Sequence, residues 1–186
     1  MATPETTLDV VDELTNDHRE MTELLDRIGT TTDPAQKRDM ADTAITEIVR
    51  HAVAEEMYVY PAMREHIPNG EELVEHDTRE HNEMEVTMKD LEDVDPTEAR
   101  FDQLVAKLRD QLHHHAIDEE RDQFPMLRER IPRDVLVDLR EKVDTAKKIA
   151  PTRPHPNAPN NELFHKTLGP GVGLVDRIRD KLTGRR

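Results

Sequence analysis

The chain carries an internal duplication, in which one 18-residue segment recurs 64 residues later. Residues 51–68, HAVAEEMYVYPAMREHIP, match residues 115–132, HAIDEERDQFPMLRERIP, at 9 of 18 positions. The matched positions include the pairs His51/His115, Glu55/Glu119 and Pro61/Pro125. At a shift of 63, DHREM (residues 17–21) corresponds to EHNEM (residues 80–84). The sequence therefore predicts two copies of one structural unit, each with a histidine in its first part and His-x-x-x-Glu in its second.

Apolar residues recur every three or four positions through four segments, which is the spacing of helices with one buried face. The first stripe contains Leu8, Val11, Leu14, His18, Met21, Leu25 and Ile28. The second follows the helix-start signal Asp33-Pro34 and contains Ala41, Ile45, Ile48, His51, Glu55, Tyr58 and Ala62. The third contains Val74, Asp77, His81, Met84 or Glu85, Met88 and Leu91. The fourth contains Phe101, Leu104, Leu108, Leu112, His115, Glu119, Asp122 and Met126.

These stripes predict an all-α fold in which each repeat is a helical hairpin. Two antiparallel hairpins packed together form an up-and-down four-helix bundle, an architecture that can hold metal ions between facing helices. A further helical segment after Pro132 and a Pro-rich extended tail complete the predicted fold. We assign the bundle to residues 1–149, a Pro/Asn-rich linker to residues 150–168 and a short basic amphipathic segment to residues 169–186. We expect this last segment to dock on the bundle through Leu174, Val175, Ile178 and Leu182.

The charge and the cysteine content exclude several classes of function. The net charge is −15, and a body this acidic repels nucleic acid. No apolar run approaches the ~18 residues that would cross a bilayer, and the N-terminus does not resemble a signal peptide. We therefore expect a cytoplasmic monomer or homodimer without membrane contact. The absence of cysteine excludes thiolate metal sites and leaves imidazole and carboxylate as the strong ligands.

On each of the four stripes, side chains that can bind metal occupy positions where an apolar core residue is expected. Residues four apart on a helix lie on one face, so each His-x-x-x-Glu directs an imidazole and a carboxylate to one spot. The predicted metal ligands are His18, His51, Glu55, His81, His115 and Glu119. Two buried carboxylates beside four imidazoles, on stripes without Lys or Arg, would be strongly destabilising without cations. We therefore predict two metal ions bridged by the carboxylates, with two histidines on each ion and further positions open to a small ligand.

Several neighbouring residues have two interpretations. Tyr58, the candidate catalytic residue, is either ordinary core packing or a group that binds metal or hydrogen-bonds over the open position. Glu56 and Glu120 either accept hydrogen bonds from imidazole N–H groups or are solvated. In the triple His113-His114-His115, only the last histidine keeps the repeat register, and we expect it alone to be a ligand.

The order His … His-x-x-x-Glu, repeated on four helices over residues 8–130, resembles the hemerythrin-like family, also called the HHE cation-binding domain. The tail sequences TRPHPNAP and GPGVGLVDRIRDKLTGRR are similar to tails of actinobacterial members. The resemblance implies a non-haem di-iron site with an oxo or hydroxo bridge. By carry-over, the terminal ligands are His18, His51, His81 and His115, and the bridging ligands are Glu55 and Glu119. The same ligand types would accept manganese or zinc.

One position departs from the family pattern. Oxygen-carrying hemerythrins have a fifth histidine one turn before the third-helix ligand, and here that position is Asp77, while His76 is rotated away by about 100°. Asp77 and Glu85 are therefore additional candidate ligands. A centre poorer in imidazole and richer in carboxylate is more similar to di-iron oxidases and dimetal catalases than to a reversible oxygen carrier.

We therefore predict a protein that handles small oxygen or nitrogen species. The most specific prediction is an oxidoreductase of oxidative stress that disproportionates hydrogen peroxide. The alternative is a module that binds or senses iron, dioxygen or nitric oxide without turnover. The sequence contains no Ser-His-Asp set, Gly-rich phosphate loop or aromatic-basic patch that would indicate another chemistry.

Overall fold

The computed structural model describes residues 7–157 and 169–183, and the prediction of an all-α fold is confirmed for them. The helices are α1 Val10–Thr30, α2 Pro34–Ala54, α3 Tyr60–His66, α4 Gly70–Glu92, α5 Ala99–Asp118, α6 Phe124–Arg130, α7 Arg133–Ile149 and α8 Gly169–Thr183. Two single turns of π-helix, Glu55–Val59 and Glu119–Gln123, join α2 to α3 and α5 to α6. These described ranges contain no strand.

Local side-chain chemistry sets where the helices begin. The Asp9 carboxylate accepts from two backbone N–H groups at the start of α1, and the Asp12 side chain accepts in return from the Asp9 N–H. Asp33 caps α2 by accepting from the Gln36 N–H, with proline at the first helical position, as the sequence predicts. Before α4 the chain turns through Asn69 in the left-handed conformation, with φ 64°.

The long helices pack around one apolar core and form a helical bundle. Helix α1 packs against α2 and α5, and α4 packs against α5 and α2. Helix α7 covers the side of the bundle formed by α1 and α2. Fully buried side chains from four of these helices meet in the core, among them Leu14, Ile45, Met88 and Leu108. The predicted helical segment after Pro132 is therefore part of the packed structure.

The two π turns change which residues face the core. Pro61 has no N–H and its ring crowds the carbonyl four residues earlier, so the α-helical hydrogen bonding is interrupted there. The Tyr60 N–H instead donates to the Glu55 carbonyl, five residues back. The equivalent bond in the second repeat runs from the Phe124 N–H to the Glu119 carbonyl. Each turn adds one residue, which rotates everything after it by about 100°.

The extra residue changes which side chains are buried at the C-terminal end of the second and fourth stripes. In the first repeat, Tyr60 and Met63 are buried, whereas Tyr58 is only partly buried. In the second repeat, Phe124 is buried and the predicted core position Asp122 is exposed. The stripes drawn with uninterrupted helical spacing were therefore wrong at Asp122, whereas Tyr58, Ala62 and Met126 are partly buried and pack against the core.

The C-terminal helix α8 lies against α7 through a close backbone approach. A Cβ on Gly173 would lie 2.5 Å from the Ile149 carbonyl oxygen, so only glycine allows this approach. Leu174 and Val175 are 56% and 64% exposed, and the prediction that they dock the helix was wrong. The predicted contacts of Ile178 and Leu182 lie outside the described side chains.

Polar contacts hold α8 to the segment that follows α7. Asp180 accepts hydrogen bonds from the Thr152 hydroxyl at 2.6 Å and from Arg153 Nε at 2.7 Å. Arg153 also donates to Glu92 at the end of α4, at 2.9 Å. The first residues of the predicted linker are thus packed on the bundle, while residues 158–168 of that linker lie outside the described part of the chain. None of the described helices is long and apolar enough to cross a membrane.

Candidate metal centre

Four imidazoles meet in the core as two pairs. The Nε2 atoms of His18 and His51 lie 3.1 Å apart, so α1 and α2 contribute one pair. The Nε2 atoms of His81 and His115 lie 3.2 Å apart, so α4 and α5 contribute the other. All four residues are no more than 2% exposed. The duplicated sequence therefore produces two equivalent imidazole pairs that face each other.

The carboxylates of Glu55 and Glu119 lie between the two pairs, and both are buried. Glu55 Oε1 is 3.3 Å from His51 Nε2, and Glu55 Oε2 is 3.4 Å from His81 Nε2. Glu119 Oε1 is 3.6 Å from His115 Nε2, and Glu119 Oε2 is 3.4 Å from His18 Nε2. Each glutamate thus offers one oxygen to each imidazole pair. The π turns begin at these two glutamates.

The outward ring nitrogen of each of these four histidines meets a carboxylate from another helix or π turn. The Nδ1–H of His18 donates to Glu120 at 2.9 Å, and that of His81 donates to Glu56 at 2.9 Å. The contacts of the other two histidines are His51 Nδ1 to Asp17 at 3.1 Å and His115 Nδ1 to Glu80 at 2.9 Å. A carboxylate that holds the proton on Nδ1 leaves the Nε2 lone pair free to bind a cation.

The donor set fits bound metal. Both oxygens of Glu55 and Oε2 of Glu119 are buried without a hydrogen-bond partner, although such an atom costs about 1–3 kcal/mol or more when left unpaired. One compact group of possible ligands contains His18, His51, His115 and Glu119, and another contains Glu55, His81 and His115. Imidazole and carboxylate together suit iron, manganese and zinc. A cation among these residues would satisfy the orphaned oxygens and the four Nε2 lone pairs at once.

Without metal, the pKa values of the buried histidines and glutamates are shifted because these groups lie close together. Burial alone would lower the pKa of His51, but the carboxylates of Glu55 and Asp17 outweigh it and raise the pKa to about 10. Burial likewise opposes charge on His81, and the adjacent carboxylates of Glu55 and Glu56 raise its pKa well above the usual value. Burial would raise the pKa of Glu55, but His51 and His81 hold it well below the usual range. Without metal, protons on the imidazoles therefore neutralise the buried acids.

Tyr60 is a residue of the site that the sequence stripes missed. Its hydroxyl oxygen lies 3.2 Å from His81 Nε2, and its ring stacks on the His81 ring at a centroid distance of 5.6 Å. In the other repeat, Phe124 stacks on His18 at 5.9 Å. The aligned aromatic pair Tyr60/Phe124 was a signal in the sequence, since Tyr58 aligns with an aspartate. Tyr58 itself is partly buried and packs against the apolar core.

The two additional candidate ligands lie in different environments. Asp77 is fully buried, and its Oδ1 accepts from the Gln123 amide at 3.0 Å while Oδ2 has no partner. Burial and the charge of Glu119 raise the pKa of Asp77 to about 8. Burial and the charge of Glu56 raise the pKa of Glu85. Within the described part of the chain, no compact ligand group includes Glu85.

The helical bundle and the buried histidine and glutamate cluster define a metal-binding module. A family model described as the hemerythrin HHE cation binding domain matches residues 9–127. The chain belongs to this family, and the resemblance inferred from its repeated motif is confirmed. It is 25% identical over 174 residues to an uncharacterized hemerythrin-like protein of Schizosaccharomyces pombe, over 93% of this chain and 86% of that protein. No solved structure matches the chain.

The carboxylates that contact the Nδ1 atoms of the four buried histidines are called the outer carboxylates below. Replacing one of them, Glu120, with glutamine tests whether these contacts support metal binding. We expect Glu120→Gln to weaken metal binding by about 10- to 100-fold, because a neutral amide holds the proton on His18 Nδ1 less firmly than a carboxylate does and makes the imidazole a weaker ligand. Glu120 is 39% exposed, so the fold should survive the change. The measurement is metal content after dialysis against graded chelator. The matched control is Asp122→Asn, because Asp122 is exposed and pairs with Arg121 on the same turn. Equal metal retention by both variants would show that the Glu120 contact does not support the site.

Proposed function

We propose that the chain folds as an up-and-down four-helix bundle whose core holds two metal ions. In this proposal His18 and His51 would hold one ion, His81 and His115 would hold the other, and each glutamate would offer one oxygen to each ion. The observation that carries the proposal is the position of Glu55, whose two buried oxygens reach different imidazole pairs and have no hydrogen-bond partner. Glu119 repeats the arrangement from the opposite hairpin.

We propose iron as the resident metal, since family membership and the mixed imidazole and carboxylate ligands both support it. When bound, an iron pair supplies two adjacent redox-active Lewis acids for a small oxygen or nitrogen species. The protein's own residues exclude water and hold the imidazoles in place. The Tyr60 hydroxyl is positioned to hydrogen-bond beside His81, and Asp77 can hold a proton on its unpaired Oδ2.

We propose hydrogen peroxide disproportionation, 2 H₂O₂ → 2 H₂O + O₂, as the activity. The enclosure of the centre supports a very small substrate. A surface cavity of about 370 Å³ is lined in part by His18 and Glu120. The ligand set supports the proposal as well, because Asp77 stands where an oxygen-carrying centre would have a fifth imidazole.

Oxygen evolution by the iron-loaded protein tests the activity. We expect Glu119→Ala to lower the rate by at least about 100-fold, since losing even an outer partner of a ligand costs about 10- to 100-fold. The matched control is Glu129→Ala, because Glu129 is an exposed glutamate on α6 and is not among the ligands. A Glu119→Ala protein that evolves oxygen at the wild-type rate would overturn the assignment of this site to the activity.

A second candidate function is binding or sensing of dioxygen or nitric oxide without turnover. The observation that favours it is the burial of all six proposed ligands, each no more than 2% exposed, because an enclosed adduct is protected from water. Stopped-flow absorption spectra separate the two functions. A long-lived adduct with dioxygen or nitric oxide and no peroxide consumption supports binding, whereas rapid peroxide consumption with return to the starting spectrum supports catalysis.

A further inference from the structure

A second cluster of histidines and carboxylates lies on the surface, where α4 and α5 pack together. His76 and Glu80 are four residues apart on α4, and His114 and Asp118 are four residues apart on α5. Each pair repeats the His-x-x-x-carboxylate spacing of the buried centre, which puts its two side chains on one helix face. Neither His76 nor His114 is among the proposed ligands of that centre.

Each of the two imidazoles lies close to both carboxylates. His76 Nε2 is 3.3 Å from Glu80 Oε1 and 3.8 Å from Asp118 Oδ2. His114 Nε2 is 3.7 Å from each of the same two oxygens. The cluster therefore brings two imidazole nitrogens and two carboxylate oxygens from two helices into one patch, with every nitrogen within 3.8 Å of both oxygens.

These separations match the coordination shell of a small divalent cation. Zinc binds nitrogen and oxygen ligands at about 2.0–2.2 Å in a tetrahedron, in which neighbouring ligand atoms lie about 3.4 Å apart. The four N···O separations of 3.3–3.8 Å are near that value, so movement of the exposed side chains would bring the four ligand atoms around one cation. Two imidazoles and two carboxylates are also a ligand set that zinc accepts.

Glu80 is already held in place for this role by the buried centre. Its Oε2 accepts from His115 Nδ1 at 2.9 Å, which leaves Oε1 directed to the surface imidazoles. The surrounding side chains remain open to solvent, since His76 is 42% and His114 68% exposed. An ion could therefore reach this position directly from solvent.

One competing contact must change when a cation binds. Arg79 Nη2 lies 3.4 Å from His76 Nδ1, and a ring that binds metal through Nε2 carries its proton on Nδ1. Arg79 is exposed, so it can move away into solvent. We propose that His76, Glu80, His114 and Asp118 form a surface site for a divalent cation of the zinc class, separate from the buried centre.

Zinc titration of the full chain, with its buried centre filled with iron, tests the proposal. We expect one zinc ion per chain to bind by isothermal titration calorimetry without release of iron. His114→Gln is expected to weaken that binding by at least about tenfold. His113→Gln is the matched control, because His113 is the adjacent exposed histidine and lies outside the cluster. A second variant, His76→Gln, should repeat the loss seen with His114→Gln.

Three results would overturn the proposal. The first is no zinc uptake by the wild-type protein, and the second is zinc uptake matched by an equal loss of iron. The third is wild-type affinity in both His114→Gln and His76→Gln, which would place the bound zinc on other histidines of the chain. Circular dichroism of each variant identifies any protein that failed to fold. Because both histidines are partly exposed, we expect both variants to fold.

Discussion

Removing the metal by chelation is expected to lower the unfolding temperature and to make stability fall as the pH rises above about 6.5. Without cations, only protons on the imidazoles can neutralise Glu55 and Glu119. The pKa of His51 is raised from 6.5 to about 10 in the folded protein. Its stabilising contribution is therefore fully present below pH 6.5 and is lost as the pH rises through about 10. Metal-loaded protein should lack this dependence, because cations then occupy the place of the protons.

The expected loss in the metal-free protein is on the order of a few kcal/mol in the free energy of unfolding, since each pKa unit corresponds to about 1.4 kcal/mol. Thermal and urea unfolding of loaded and chelated protein between pH 6 and pH 10 would measure it. Metal binding should also release protons, because imidazole binds a cation only in its neutral form. Calorimetry in two buffers of different ionisation enthalpy would count them. Chelated protein that is as stable as loaded protein at every pH would contradict the prediction.

Glu55→Gln is expected to reduce bound metal from two ions per chain to one or none. The two oxygens of Glu55 lie 3.3 Å from His51 Nε2 and 3.4 Å from His81 Nε2. Glutamine keeps the volume of the side chain but loses the charge, and its NH₂ end cannot donate a lone pair to a cation. The wild-type protein should gain about 4 kcal/mol per site when free metal exceeds Kd by about 1,000-fold. Most of that gain should disappear in the variant.

Metal analysis and the metal-induced rise in unfolding temperature measure the effect of Glu55→Gln. Glu85→Gln is the comparison variant, since Glu85 is a partly buried glutamate whose Oε2, like the oxygens of Glu55, has no hydrogen-bond partner. Full occupancy in Glu85→Gln would limit the bridging role to Glu55 and Glu119, whereas loss of metal there would make Glu85 a ligand. Two ions bound by Glu55→Gln with unchanged affinity would overturn the bridged arrangement.

The outer carboxylates were predictable only in part. Glu56 and Glu120 follow the two central glutamates directly, and the sequence left open whether they accept hydrogen bonds from imidazole N–H groups or are solvated. Asp17 and Glu80 occupy equivalent positions in the repeat, one residue before a ligand histidine, yet they hydrogen-bond to histidines of other helices. That partnership depends on how the helices cross, which a pattern along one helix does not contain.

The tyrosine beside the imidazoles was missed for a local reason. Uninterrupted helical spacing from His51 leads to Tyr58, but the π turn at Glu55–Val59 adds a residue and brings Tyr60 to His81. The surface cluster was missed because it combines two side chains of α4 with two side chains of α5. The sequence predicted His76 and His114 to be turned away from the core, and only the packing of α4 against α5 brings them together.

The amino-acid sequence alone determined the all-α fold, the duplicated hairpin and the identity of the four imidazoles and two carboxylates in the core. It could do so because the periodicity of a helix is visible within a short stretch of sequence. In addition, the same ligand pattern occurs twice, which is not expected by chance. The tertiary structure alone decided which oxygen reaches which imidazole, which carboxylate holds each Nδ1 proton and which tyrosine lies at the centre. Those choices depend on the rotation added by the two π turns and on the crossing of helices distant in sequence.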